Sequence, residues 1–289
     1  MENTPNITPV TAPNPLAKYF RQPALYIKLP SNGQYWMPGS LNLPVTGEVP
    51  IYPMTARDEI TIRTPDALMN GAGVVEVLQS CCPSISNAWH MPSIDVDTVL
   101  IAIRVASYGY EMPVDTKCPY CNEDNAHSVD LRVVLSGAKC PDYNKRVEIN
   151  NLKIKVKPME FFSVNKNNSV NFEEQRLLAN LRDSTLPDNE RVEKVRESMN
   201  KLVNISIETV AVCVDSIETE DGTVVSNQDY IREFFQNSNG DILKAVQKRL
   251  EEISAEAELP SQSVSCGSCK KEYQVPLEFN YANFFANGS

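Results

Sequence analysis

The sequence predicts an α+β protein in which a small four-cysteine ribbon is split by an inserted helical domain. Three observations predict this organisation. The chain has 289 residues, a length typical of about two domains. Short strand-like segments and helical segments are mixed along its first half, as in α+β domains. Two Cys-x-x-Cys pairs, Cys118–Cys121 and Cys266–Cys269, stand on either side of a long stretch with helical periodicity.

Composition and charge argue against several classes of protein. Charged residues make up 22% and hydrophobic residues 42%, which are values for a globular chain with a core of ordinary size. The formal net charge is −10 and the basic residues do not cluster, so neither nucleic acid nor an anionic membrane surface is an expected partner. The sequence has no apolar run near the roughly 18 residues that span a bilayer, and its N-terminus lacks the pattern of a secretion signal. We therefore expect a reducing cytoplasm, where cysteines are thiols or metal ligands.

The first part of the chain is expected to hold an arm and an α+β domain. Residues 1–15 contain four prolines and no periodicity, which indicates an extended or disordered arm. Residues 16–116 are the predicted N-terminal α+β domain. Short strands are expected at 26–29 and 49–52, where neighbouring prolines confine them to sheet edges.

Two helices are expected to complete this domain. The first begins at Thr64–Pro65, where a capping residue precedes a proline at the first helical position, and it ends at Pro83. The second begins near Ser93, carries acidic side chains in its first turn and ends at Gly109.

The region after the first cysteine pair is expected to be β structure. Alternating apolar residues predict strands at 128–135, 147–149 and 152–156. A further strand is expected at 273–279, after the second pair. We assign residues 117–158 and 259–289 to one split ribbon domain.

Residues 159–258 are the predicted inserted helical domain. Apolar spacing and capping residues predict helices over 171–181, 187–213, 226–235 and 241–257. The sequence Thr-Glu-Asp-Gly-Thr at 219–223 predicts the turn of a small hairpin.

The cysteine pairs are the strongest chemical signal in the sequence. Two residues between cysteines allow one tight turn to direct both sulfurs at a single ion, and two such turns supply a closed tetrahedral zinc site. The candidate metal ligands are Cys118, Cys121, Cys266 and Cys269. A four-sulfur site leaves no open position for catalysis, so the expected zinc is structural. Gly267 is expected to adopt a positive φ in the second turn.

The separation of the two pairs is unusual for a ribbon. Cys121 and Cys266 have 144 residues between them, whereas ribbon pairs usually lie about 15–20 residues apart. The site is consistent with this distance if the helical domain is inserted where its entry and exit lie close in space. The metal would then clamp the base of the insertion.

Other interpretations of the cysteines stay open. Each pair could be unlinked reduced thiols or a redox motif, although neither pair opens a helix in a βαβ pattern. Iron would fit the same four ligands. His127 is expected to be a surface or strand residue and not a ligand. The remaining cysteines, which lack metal spacing, are Cys81, Cys82, Cys140 and Cys213.

The search for an active site yields only a weak hydrolase hypothesis. The sequence contains none of the common phosphate-binding, metalloprotease or nucleophile-elbow motifs. The candidate acid–base residues, all of which have simpler structural interpretations, are Asp58, Glu59, His90, Asp95 and Asp97. Phe284–Phe285 near the C-terminus either packs into its own domain or anchors a neighbour.

Several segments together resemble a known family. They are Tyr52–Glu59, Thr64–Leu68, the helix over Asp95–Tyr110, Cys118-Pro119-Tyr120-Cys121, and Cys266-Gly267-Ser268-Cys269 with a closing Asn-Phe-Phe. In this order they resemble the T4-like bacteriophage baseplate hub protein family, over roughly Asn14 to Phe285. The zinc expectation depends on cysteine spacing and not on this resemblance.

The resemblance implies a structural or assembly component of the hub in a contractile-tailed phage, without catalytic activity. It implies partners among the other hub proteins or the tape-measure protein, a symmetric oligomer in the tail, and location in the virion baseplate after assembly in the host cytoplasm. Two alternatives remain. One is a transient tail assembly chaperone that is absent from the mature virion, and the other is a metal-supported hydrolase.

Overall fold

A computed structural model describes residues 14–64, 71–182, 187–275 and 284–285, without the side chain of Arg182. Three predicted features lie partly outside the described residues: most of the arm, the first helix from Pro65 to residue 70, and the end of the strand expected at 273–279.

The described residues form a mixed α+β fold with small antiparallel sheets, which confirms the predicted class. The α-helices are α1 (Ala56–Ile62), α2 (Ala72–Cys81), α3 (Ser93–Tyr108), α4 (Leu131–Gly137), α5 (Phe161–Arg182), α6 (Asp188–Val212), α7 (Gln228–Asn237) and α8 (Gly240–Ala257). The strands are β1 (Leu25–Lys28), β2 (Glu48–Ile51), β3 (Glu111–Lys117), β4 (Asp124–Asp130), β5 (Val147–Ile149), β6 (Leu152–Val156), β7 (Val214–Glu218), β8 (Val224–Val225), β9 (Gln262–Ser265) and β10 (Glu272–Val275). Short 3₁₀ helices lie at Ala17–Tyr19 and Ala88–His90.

Strand pairing is antiparallel throughout the described sheets. β1 pairs with β2, β3 with β4, and β9 with β10, each as a two-stranded hairpin or ribbon. A four-stranded sheet has the order β5-β6-β7-β8. The turn predicted at 219–223 joins β7 to β8 and is confirmed, because the Thr219 N–H donates to the Thr223 carbonyl at 2.9 Å.

Two larger hydrophobic clusters organise the fold. The first contains Ile51 of β2, Leu78 of α2 and Leu100 of α3, and it forms the core of the N-terminal part. The second contains Ile154 of β6 and Val246 of α8, so the four-stranded sheet packs with α6, α7 and α8. The boundaries of the predicted domains stay a prediction.

The strand predicted at 128–135 is wrong in its second half. β4 ends at Asp130, and α4 follows directly. The Asp130 side chain accepts the Arg132 N–H at 2.9 Å and so caps the helix, while Leu131 and Val134, three residues apart, are buried on one face. The cap and the helical spacing override the β propensity of the valines in this segment.

Several helix starts also differ from the prediction. α5 begins at Phe161 and not at residue 171. The Phe161 N–H donates to the Met91 carbonyl at 2.8 Å, which satisfies the first turn of the helix. The asparagines in this segment lower its helix propensity, so the sequence did not predict this start. α7 is capped by Asn227 and not by Ser226. α8 begins at Gly240, one residue before the predicted Asp241. The second predicted N-terminal helix, now α3, begins at Ser93 as expected.

Candidate metal centre

Each cysteine pair occupies the turn of a β-hairpin. Cys118 and Cys121 lie between β3 and β4, and Cys266 and Cys269 lie between β9 and β10. The first hairpin follows α3 directly, and the second follows α8, so the two turns reach the site from distant parts of the chain.

The two turns have the same backbone hydrogen bonds. The Asn122 N–H donates to the Cys118 carbonyl at 2.9 Å, and the Lys270 N–H donates to the Cys266 carbonyl at 3.1 Å. Asn122 and Lys270 both have a φ of 61°, which is the left-handed region. The expected positive φ of Gly267 is wrong, because the residue after the second cysteine reverses the chain instead.

The four sulfurs form a compact group. The Sγ atoms of Cys118, Cys121, Cys266 and Cys269 lie within 4.8 Å of one another. The Sγ atoms of Cys118 and Cys269 are 3.7 Å apart, and those of Cys121 and Cys266 are 3.6 Å apart. A tetrahedral ion with bonds of about 2.3 Å separates its sulfurs by about 3.8 Å. A disulfide would bring two sulfurs to about 2.05 Å. The spacing therefore suits a shared metal ion.

A side chain of the first hairpin supports the second turn. The Asn125 Oδ1 accepts the Gly267 N–H at 2.8 Å, and the Asn125 Nδ2 lies 3.6 Å from the Cys266 Sγ. Asn125 thus fixes the orientation of the second cysteine turn relative to the first. Cys118 and Cys266 are buried, whereas Cys121 is exposed.

Tyr273 of β10 provides a second link between the hairpins. Its hydroxyl lies 2.7 Å from the Thr116 Oγ1 and 2.9 Å from the His127 Nε2. His127 lies on β4 and contacts Tyr273, so it belongs to the strand packing around the site, as the sequence predicted.

The electrostatics of the site differ from those of the other cysteines. Hydrogen bonding, first from the backbone N–H of Cys269, lowers the pKa of the Cys266 thiol to about 6. The backbone N–H of Glu123 acts to lower the pKa of Cys121, but desolvation and the neighbouring sulfurs raise it to about 12. Adjacent thiolates repel one another, so ionising all four requires a cation between them.

Burial keeps three of the cysteines outside the cluster protonated. Desolvation is the main cause that raises the pKa of Cys81 to about 12, of Cys82 to about 11 and of Cys213 to about 12. These residues behave as small apolar side chains.

The two ends of the intervening stretch meet beside the hairpins. The Gln262 Nε2 donates to the Asp130 carbonyl at 2.9 Å, which joins the start of β9 to the end of β4. A Cβ placed on Gly137 would come 2.5 Å from Pro260, so the chain segments entering and leaving this stretch are in close contact. The two parts of the predicted ribbon domain, 117–158 and 259–289, are therefore in contact, as an insertion between them requires.

The candidate acid–base residues have separate structural partners. Asp58 completes the capping box of α1, whose N-cap is Thr55, and forms an ion pair with Arg21 at 3.1 Å. Asp95 is buried at the start of α3 and accepts hydrogen bonds from Ser31 and Trp36. His90 pairs with Glu160 at 2.7 Å.

The structure places Phe284 and Phe285 in the first hydrophobic cluster. Both side chains are buried, and the guanidinium of the buried Arg104 donates to the Phe284 carbonyl and lies over its ring. The pair therefore packs into its own chain.

Sequence reasoning missed Asn125 and Tyr273, which link the two hairpins, and Arg21, which pairs with Asp58. They belong to no recognisable motif, because their partners are distant in sequence.

Among the helices of residues 14–64, 71–182 and 187–275, none combines the length and the apolarity needed to cross a membrane.

Comparison with known proteins gives one family. A family model described as T4 bacteriophage base plate protein matches residues 26–286. Searches of the curated proteins and of the solved structures find no significant match.

Proposed function

Because the chain belongs to the T4 bacteriophage base plate protein family, we propose that it is a structural or assembly component of the baseplate hub in a contractile-tailed phage. The single observation that carries this proposal is the family match, which spans nearly the whole chain. Membership supports a structural baseplate component that contacts other baseplate proteins and resides in the virion tail. The assignment to the hub, contact with the tape-measure protein, symmetric oligomerisation and assembly in the host cytoplasm are the finer parts of the proposal.

A structural zinc ion is part of the same proposal. We propose that Cys118, Cys121, Cys266 and Cys269 bind it as four thiolates. The tetrahedral spacing of the sulfurs and the matching turns favour this over unlinked thiols. Four sulfur ligands fill the coordination sphere and leave no exchangeable water, which favours a structural role over metal-supported hydrolysis.

The metal would stabilise the base of the long insertion. Under this proposal, residues 117–158 and 259–289 form one ribbon domain, and residues 159–258 are inserted into it. The hydrogen bond between Gln262 and Asp130 supports this arrangement, because it joins the two parts of the ribbon domain without the metal. The pairing of β6 with β7 also ties the first of these parts to the insertion. The ion would then fix the second hairpin on the first.

The location of the chain separates the structural role from a transient assembly role. Quantitative mass spectrometry should compare purified phage particles with lysates of infected cells. A fixed copy number per particle, together with cross-links to other baseplate proteins, is the expected result. Abundance in the lysate with absence from particles would favour the assembly chaperone and contradict a structural role in the virion.

A further inference from the structure

The outer half of the helical hairpin formed by α5 and α6 is left without a partner. Over residues 170–181 and 187–203, only Glu174, Leu181 and Ser198 are buried among the described side chains. The exposed fraction is 65% for Val192 and 51% for Met199. An isolated pair of helices cannot bury an apolar face on its outer side, so these side chains remain in solvent in a single copy.

The exposed apolar residues of α6 form one stripe. Val192, Met199 and Val203, which is 57% exposed, follow one another at spacings of seven and four residues, so they lie on one face of the helix. Leu178 and Leu181 of α5 lie beside this stripe and extend it into an apolar groove. A stripe with this spacing is the seam of a helix that packs against another helix.

The charge of the hairpin favours a second copy of this chain as the occupant. Residues 161–212 contain seven basic and eight acidic residues, so they carry a net charge of −1 out of the chain's −10. The rest of the chain carries the remaining −9, and two copies that approached through its acidic parts would repel each other. The hairpin is therefore nearly neutral, and two copies that meet through it repel each other only weakly.

The charges beside the stripe also match themselves. Arg196 and Glu193 lie three residues apart on the same flank of the stripe, and both are exposed. Within the described part of the chain, neither forms an ion pair. In an antiparallel helix pair the same flanks of both helices meet, so Arg196 of each copy would face Glu193 of the other.

From the stripe, the groove and the charges, we propose that the outer face of the α5–α6 hairpin is the docking surface for a second copy of this chain. The two α6 helices run antiparallel, and the two hairpins form a four-helix bundle. The second copy buries Val192 and Met199, which are exposed in a single copy. The proposal depends neither on the metal nor on the baseplate location, so its failure would leave both intact.

Sedimentation equilibrium of the full chain from about 1 µM to about 100 µM tests the proposal. The expected result is a monomer–dimer equilibrium that Met199→Glu weakens at least about tenfold. Val133→Glu is the matched control, because Val133 is 50% exposed on a helix in another part of the fold and should leave the equilibrium unchanged. Circular dichroism checks that both variants keep their helix content.

A charge exchange tests the antiparallel geometry. Arg196→Glu and Glu193→Arg should each weaken the dimer, because each sets like charges opposite one another. The double variant should restore the wild-type equilibrium constant within about twofold. A chain that stays monomeric throughout the concentration range, or a double variant no better than either single one, would overturn the proposal.

Discussion

Replacing Cys118 by serine should remove the metal and loosen the hold between the two β-hairpins. The Cys118 side chain is buried and its sulfur lies 3.7 Å from that of Cys269. A serine hydroxyl is shorter and stays protonated, so it cannot replace a thiolate ligand at this position. With only three sulfurs left, we expect the chain to purify without a stoichiometric ion.

The size of the expected stability loss follows from the length of the loop that the metal site closes. Cys121 and Cys266 have 144 residues between them, and a cross-link closing such a loop contributes about 5 kcal/mol in the chain-entropy treatment. The Gln262–Asp130 hydrogen bond already holds the loop ends together in the folded state and remains in the variant. We therefore expect a loss of about 2–5 kcal/mol, which lowers the Tm of a chain of 289 residues by about 3–8 °C.

Differential scanning calorimetry with elemental analysis of the same samples measures both effects. Cys140→Ser is the matched control, because Cys140 is exposed and lies outside the sulfur cluster. This control should keep the wild-type Tm and metal content. If Cys118→Ser melts at the wild-type temperature, the reasoning from loop closure is refuted.

Three further predictions concern the N-terminal core. Arg21→Ala removes hydrogen bonds to Pro53, Asp58 and Ser80 and leaves the buried Asp58 without its cation. Chemical denaturation should therefore show an unfolding free energy lower by about 2 kcal/mol, and an unchanged denaturation midpoint would contradict this. Burial raises the pKa of Asp95 to about 6, so ionisation of this carboxyl lowers the stability of the wild type as pH rises from about 4 through 6. Asp95→Asn cannot ionise, so it should gain up to about 3 kcal/mol of unfolding free energy relative to wild type between pH 4 and 7. A stability difference that does not change with pH would refute the raised pKa of Asp95. Phe285→Ala should lower the unfolding free energy measured by denaturation by about 3–5 kcal/mol, because the side chain is buried. The same change at the exposed Phe162 should lower it by less than about 1 kcal/mol. Equal losses for the two variants would show that Phe285 is not part of the hydrophobic core.

The sequence could identify the candidate metal ligands because the pattern that points to them is local. Cys-x-x-Cys requires only one tight turn, and that turn forms identically in both pairs despite their distance along the chain. That the four sulfurs meet depends on tertiary contacts between the hairpins, such as those of Gln262 with Asp130 and of Asn125 with Gly267. No local pattern reports such a contact.

β3 was missed because burial contributes little to it. Among Glu111–Lys117 only Met112 is buried, and Pro113 interrupts the segment, so the apolar alternation of a strand is weak. The hairpin is instead specified by its pairing with β4 and by the cysteine turn at its end. A strand that is specified by pairing and by a turn leaves a weak hydrophobic signal in the sequence.

α4 was mistaken for a strand for the opposite reason. Val133 and Val134 have strong β propensity, but the Asp130 cap and the burial of Leu131 and Val134 on one face select a helix. Here packing against the first hydrophobic cluster decides between two local preferences.

X-ray absorption spectroscopy of the purified wild-type chain tests the proposed metal centre most directly. Elemental analysis should find one zinc ion per chain, and the zinc edge should show four sulfur ligands at about 2.3 Å. Absence of a bound metal, or a first shell that contains nitrogen or oxygen in place of one of the four sulfurs, would contradict the account.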